Sequence, residues 1–125
     1  MTNFYGTVAD NTFNGDDGYD YFYDDQGGDD IYNAAGGNDY LYWRRDADNA
    51  AATSLEAYGE DGDDDFYVYW YNGAGAIDAL LNGGGGNDEF FVYQGNYYGN
   101  NPGNLVTVKA GAGNDFLELY MGADY

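Results

Sequence analysis

Gly83-Gly-Gly-Gly-Asn-Asp88-Glu-Phe90-Phe-Val-Tyr93 decides the fold. Four glycines let the backbone turn through conformations closed to other residues. Asp88 ends the run. Beyond it Phe90 and Val92 fall on one side and Phe91 and Tyr93 on the other. That alternation is the period of a half-buried strand. A turn is therefore followed at once by a strand whose first inward residue is the second after the aspartate. The same arrangement recurs at Gly15-Asp-Asp-Gly-Tyr-Asp20-Tyr-Phe22, Gly36-Gly-Asn-Asp39-Tyr-Leu41, Gly59-Glu-Asp-Gly-Asp-Asp64-Asp-Phe66 and Gly111-Ala-Gly-Asn-Asp115-Phe-Leu117.

The spacing of these turns predicts stacked circuits. Asn11, Asp20, Asp29 and Asp39 follow one another at 9, 9 and 10 residues; Asp64, Asp88 and Asp115 follow at 25, 24 and 27. Short nonapeptide coils over about 6–42 thus give way to longer coils over about 43–120, within one solenoid domain spanning 1–125. In a two-sided roll Asp20, Asp39, Asp64, Asp88 and Asp115 share one edge, and Asn11 and Asp29 stand on the other. The second edge is looser, broken by 44–53, 72–78 and 97–104. The fold class expected is all-β, a parallel β-roll or β-solenoid.

Alternation assigns the inward residues. They are Leu41 and Trp43; Phe66, Val68 and Trp70; Phe90 and Val92; and Leu117 and Leu119. Return strands are expected at 54–58 (Leu55 and Ala57 inward), 77–82 and 105–109 (Val106 and Val108 inward), with 49–53 as loop and Pro102 in a turn.

Composition narrows function. The 125 residues carry 23 acidic and 3 basic side chains, a formal charge of −20. A compact state of that charge repels itself, and nucleic acid and anionic membranes are poor partners for it. Disordered acidic chains are poor in aromatics, whereas here aromatics reach 20%. There is no cysteine and no histidine, which removes disulfides, the usual transition-metal ligand and the usual general base. Ser54 is the one serine and lies in no nucleophile motif, so no enzyme is expected. The five threonines are scattered, which disfavours an ice-binding array. No apolar stretch reaches the length of a membrane-spanning helix, and Met1-Thr-Asn-Phe-Tyr-Gly6 shows no basic segment with an apolar run behind it.

The five turns resemble the RTX (repeats-in-toxin) family of calcium-binding nonapeptide repeats, and Gly6-Thr-Val-Ala-Asp-Asn-Thr-Phe-Asn-Gly15 is similar to the way such arrays open. The resemblance covers roughly 6–119. It implies several Ca²⁺ ions between stacked turns. The implied ligands are the carboxylates of Asp20, Asp39, Asp64, Asp88 and Asp115, with Asp29 and Asn11 opposite, and main-chain carbonyls of Gly18, Gly37, Gly62, Gly86 and Gly113. It also implies a secreted, extracellular protein exported by type I secretion without a cleaved N-terminal signal. The sequence departs from the family pattern at Asp16-Asp17, at Asp24-Asp25 and at Asn11.

Sixteen tyrosines complete the reading. One outward column runs Tyr23, Tyr42, Tyr67, Phe91, Glu118; a second runs Tyr69, Tyr93, Tyr120; a third runs Tyr21, Tyr40, Asp65, Glu89, Phe116. Strand propensity alone favours tyrosine, but a face this aromatic is expected to be a contact surface, with Tyr23, Tyr42, Tyr67, Tyr69, Phe91, Tyr93 and Tyr120 as its residues. Neither terminus shows an amphipathic capping helix, so head-to-tail stacking into filaments is expected. Arg44, Arg45 and Lys109 are expected to neutralise local acids. The leading expectation is a calcium-binding structural subunit of a filament, matrix or surface layer, with self as partner. The alternatives are a carbohydrate-binding adhesin module and a passive secretion-folding module.

Overall fold

The computed structural model describes residues 1–45, 53–71, 76–95 and 104–121. Over these the chain is an all-β parallel solenoid. Its strands are β1 (Thr2–Tyr5), β2 (Thr12–Asn14), β3 (Asp20–Asp24), β4 (Asp30–Asn33), β5 (Tyr40–Arg45), β6 (Thr53–Asp61), β7 (Asp65–Trp70), β8 (Ile77–Gly85), β9 (Glu89–Gln94), β10 (Leu105–Ala112) and β11 (Phe116–Met121). Odd strands form one sheet in the order β1-β3-β5-β7-β9-β11; even strands form the other, β2-β4-β6-β8-β10. Every pairing is parallel, so the chain alternates between sheets and each circuit adds one strand to both.

The core lies between the sheets. Leu41, Trp43, Phe66, Val68, Trp70, Phe90 and Val92 come from the odd sheet, and Leu55, Ala57, Ile77, Ala79 and Leu81 from the even one; all are buried. These include the inward residues that alternation assigned from β5 to β9. Register turns them into columns: Phe4, Phe22, Leu41, Phe66, Phe90 and Leu117 stand over one another. Leu117 and Leu119 face inward by register yet are 50% and 53% exposed, because among the described residues no further strand covers them.

Two boundaries differ from expectation. The odd sheet already contains Thr2–Tyr5, ahead of the expected start near Gly6. The even strands also run further than expected, into the glycine runs, to Asp61, Gly85 and Ala112. Glycine there pairs across circuits as Gly84 with Glu60 and Gly111 with Gly84, so the run is ladder as well as turn. Residues 49–52 and Pro102 lie outside the described residues.

After the first turn at 15–20, each circuit turns the first edge through two left-handed corners. The first is formed by Ala35, Glu60, Gly84 and Gly111, at φ 77°, 74°, 105° and 103°. The second is glycine each time: Gly37, Gly62, Gly86 and Gly113, at φ 117°, 138°, 139° and 148°. A Cβ at Gly62, Gly86 or Gly113 would overlap the carbonyl oxygen of the same corner one circuit earlier. The glycine two places before Asp39, Asp64, Asp88 and Asp115 is thus required by circuit stacking.

Candidate functional site

The aspartates of the first edge line up as their spacing predicts, and hydrogen bonds tie them into a ladder. The Asp20 N–H donates to Asp39 Oδ1 at 2.6 Å, Asp39 N–H to Asp64 Oδ1 at 2.8 Å, Asp64 N–H to Asp88 Oδ1 at 3.0 Å, and Asp88 N–H to Asp115 Oδ1 at 3.0 Å. Thr2 N–H starts the row by donating to Asp20 Oδ1 at 2.7 Å. Each carboxylate therefore reaches back one circuit.

The residues before Asp39, Asp64, Asp88 and Asp115 build a second ladder in the opposite direction. Asp63 N–H donates to Asn38 Oδ1 at 3.1 Å, Asn87 N–H to Asp63 Oδ1 at 2.7 Å, and Asn114 N–H to Asn87 Oδ1 at 2.9 Å. Reading the turns as glycine, variable residue, aspartate missed this ladder. The signal was present: Asn38-Asp39, Asp63-Asp64, Asn87-Asp88 and Asn114-Asp115 each pair two residues whose short side chains accept main-chain hydrogen bonds.

The ladder uses only one oxygen of each carboxylate. Among the described residues Oδ2 of Asp39, Asp64 and Asp88 is buried without a hydrogen-bond partner. A Cβ placed on Gly59 would meet Asp64 Oδ2 and the Gly83 carbonyl oxygen together; one on Gly83 would meet Asp88 Oδ2 and the Ala110 carbonyl oxygen. Glycine at these places leaves each spare carboxylate oxygen beside a main-chain oxygen of the next circuit. Two electron-rich atoms so placed out of water are unfavourable unless positive charge stands near them. Asp20 is the exception, since Asp16 N–H donates to its Oδ2 at 2.7 Å. The backbone of the first turn therefore supplies this oxygen with a donor of its own.

Burial shows in the protonation equilibria. Asp64 is pushed up to about 7 and Asp39 to about 6, mainly by burial and against the lowering effect of the N–H each accepts. Asp88 moves upward for the same first reason.

This donor set fits a hard cation. Calcium takes about six to eight oxygens, carboxylate and carbonyl alike, and the edge offers partnerless carboxylate oxygens beside carbonyls. Among the described residues no group of three or more acidic side chains could hold a metal unaided. Any ion here would depend on main-chain oxygens, of which those of Gly37, Gly62 and Gly86 face the following circuit, while Gly113 stands in the last described turn. Gly18 lies in the same column, with its carbonyl against Gly37.

The second edge differs from its expected register. Thr12 pairs with Ile31, which sets Asn11 beside Asp30 and not beside Asp29. Asn11 N–H donates to Asp30 Oδ1 at 2.9 Å. Asp29 is exposed and belongs to the outer ladder, its N–H donating to Asp10 Oδ1 at 3.0 Å and its Oδ1 accepting from Ser54 N–H at 2.8 Å. Counting from Asn11 by nines lands one residue short, because Asp29-Asp30 offers two candidates and spacing alone takes the first.

The aromatic columns hold in strand register: Tyr23 with Tyr42, Tyr42 with Tyr67, Tyr67 with Phe91, Phe91 with Glu118, and Tyr69 with Tyr93 and Tyr120. The rings do not always follow the strands. Tyr40 stacks on Tyr67 at 5.1 Å and Tyr42 meets Tyr69 at 5.5 Å, one column across. Asp65 occupies the place directly beside Tyr40, so that ring leans to the next aromatic. Two stacks result: Tyr21-Tyr40-Tyr67-Phe91-Phe116 and Tyr23-Tyr42-Tyr69-Tyr93-Tyr120. A ring whose face lies against its neighbour turns its edge to water, so the sheet presents phenol edges and hydroxyls. Burial and the neighbouring phenols push Tyr40 up to about 12, so its hydroxyl stays protonated at neutral pH. Comparison of this chain with protein-family models, with curated proteins and with solved structures returned no match.

Proposed function

We propose that this is a secreted, calcium-binding structural protein whose solenoids stack end to end into an extracellular filament, matrix or surface layer. The row of partnerless Oδ2 atoms at Asp39, Asp64 and Asp88, each buried on the same edge, carries the reading. Bound calcium would supply the positive charge that these oxygens and a −20 chain lack. Sites made of one carboxylate per circuit plus neutral carbonyls suit the weak range, about 10⁻⁴–10⁻³ M, of extracellular calcium modules. Such a protein would fold where calcium is abundant.

The outermost described strands favour assembly. Among the described residues β10 and β11 are the last strands of their sheets on one side, and β1 and β2 on the other. Leu105, Leu117 and Leu119 are each at least 50% exposed at the former end. A second copy that set β1 and β2 against β11 and β10 would cover them, placing its Phe4 on the column that ends in Leu117. Contact through the aromatic sheet would meet hydroxyl edges, so lateral association would be hydrogen-bonded and weaker.

Electron microscopy of the intact chain tests this. In millimolar calcium we expect regular fibres that disperse in chelator, and Leu119→Asp should leave calcium-loaded monomers. A calcium-loaded parent that sediments as a monomer at high concentration would sink the filament reading. A monomer that binds neutral glycans would favour the adhesin alternative.

A further inference from the structure

We propose that Arg45 is the built-in cation of the second edge at Asp24 and Asp30, so that this turn takes no metal ion. The inference rests on the proposed calcium edge and extends it, by stating which turn is excluded. Its basis is a buried group that the metal reading does not use. Alternation along β5 carries Leu41, Trp43 and Arg45 to the inside, and Arg45 is fully buried. Asp24 and Asp30 are buried beside it, at 0% and 1% exposure.

The guanidinium bridges the two acids. Nη2 donates to Asp30 Oδ2 at 2.7 Å and Nη1 to Asp24 Oδ1 at 3.2 Å. Nη2 also reaches Asp24 Oδ2 at 3.4 Å, and Nη1 donates to the Arg44 carbonyl at 2.9 Å. The planar group lies 4.2 Å from the Trp43 ring centroid. Nε goes without a partner among the described residues.

The remaining carboxylate positions are filled by the protein. Asp24 Oδ2 accepts from the Tyr32 hydroxyl at 2.5 Å, Asp24 Oδ1 from Gln26 N–H at 2.9 Å, and Asp30 Oδ1 from Asn11 N–H at 2.9 Å. All four oxygens of Asp24 and Asp30 thus have a partner. On the first edge Asp39, Asp64 and Asp88 each keep one oxygen without any. A carboxylate already met by a guanidinium has nothing to gain from a second cation, and an approaching ion would be repelled by Arg45. Arginine suits the place because its flat fork is always charged and bridges two acids at once. Asp24 and Asp30, one from each acidic pair of this turn, are therefore the acid half of an ion cluster.

Native mass spectrometry of the full chain in calcium, counting bound ions, tests this. Asp64→Asn should lose at least one ion relative to the parent, and Asp30→Asn should lose none. Loss of an ion by Asp30→Asn equal to that of Asp64→Asn overturns the proposal. A parent that carries no calcium overturns the first-edge reading instead. Arg45 is then judged by unfolding. Arg45→Met should lower the melting midpoint by roughly 10 °C or more, since two buried acids lose their counter-charge. Adding Asp24→Asn and Asp30→Asn should recover part of that loss, also where Arg45→Met alone does not fold. No recovery in the triple variant, or an Arg45→Met chain that melts with the parent, overturns the role given to Arg45.

Discussion

Gly62→Ala should abolish folding of the central circuits, the largest single-residue effect expected in this chain. Gly62 sits at φ 138°, a conformation essentially reserved for glycine. Its added methyl would overlap the Gly37 carbonyl oxygen, which belongs to a backbone locked in the circuit below. Backbone strain of about 1–3 kcal/mol combines with a clash that no side chain can relieve. A loss on the order of 4 kcal/mol is a large part of the roughly 5–15 kcal/mol that holds a domain together. Gly85→Ala is the control, because its methyl would meet only Asp61 Oδ1 at 3.5 Å and the Glu60 carbonyl at 3.9 Å. At the first corner the opposite sign holds. Glu60 is held at φ 74°, and Glu60→Gly should stabilise slightly by relieving the left-handed backbone. Thermal melts followed by circular dichroism in calcium decide the matter. If Gly62→Ala melts within a few degrees of Gly85→Ala, circuits are not packed through their second corner.

Which features the sequence revealed follows from how local they are. The Asp20-Asp39-Asp64-Asp88-Asp115 row was legible because each circuit repeats one turn and one strand start. The core was legible because alternation needs only neighbours: Phe66, Val68 and Trp70 are buried as their spacing requires. The second edge was less legible. Its register depends on which of two adjacent acids meets Asn11, and hydrogen bonds across circuits, invisible to spacing, select Asp30. Arg45 was within reach of the same alternation that placed Trp43, since it occupies the next inward position. Composition suggested only that it neutralise acids; burial between Asp24 and Asp30 is a property of the circuit closing around it. Stacking across columns at Tyr40 and Tyr67 was not legible, because ring lean depends on Asp65 in the neighbouring strand. Local pattern gave the strands and the edge; what lies between circuits had to come from the structure.

Acid should stand in for calcium on the first edge. In chelator, the chain should hold more ordered β structure at pH 5 than at pH 8. The sign comes from the folded carboxyls. Asp64 at about 7 and Asp39 at about 6 lie above the ordinary 3.8, and Asp88 is shifted the same way. A group raised by folding favours the folded state below its ordinary value and loses that contribution as pH climbs through the raised one. Metal-free stability should therefore fall between about pH 4 and 7. Protonation places hydrogen on an otherwise partnerless Oδ2, beside the carbonyl of the next circuit, and removes the repulsion between circuits. Calcium acts on the same oxygens from the opposite side of the titration, because it requires them ionised. Its stabilising effect should be largest above pH 7, and its binding near pH 6 should release protons. General relief of charge repulsion would also favour low pH, so Asp64→Asn separates the two. Asparagine keeps the acceptor for Asp39 N–H and carries no charge. In chelator at pH 8 the variant should therefore be more stable than the parent, and in calcium less. Circular dichroism melts from pH 4 to 8, with chelator and with calcium, make the measurement. A parent equally ordered across that range in chelator, or an Asp64→Asn chain that weakens there, would mean that the buried carboxylates of this edge carry no unmet demand for positive charge.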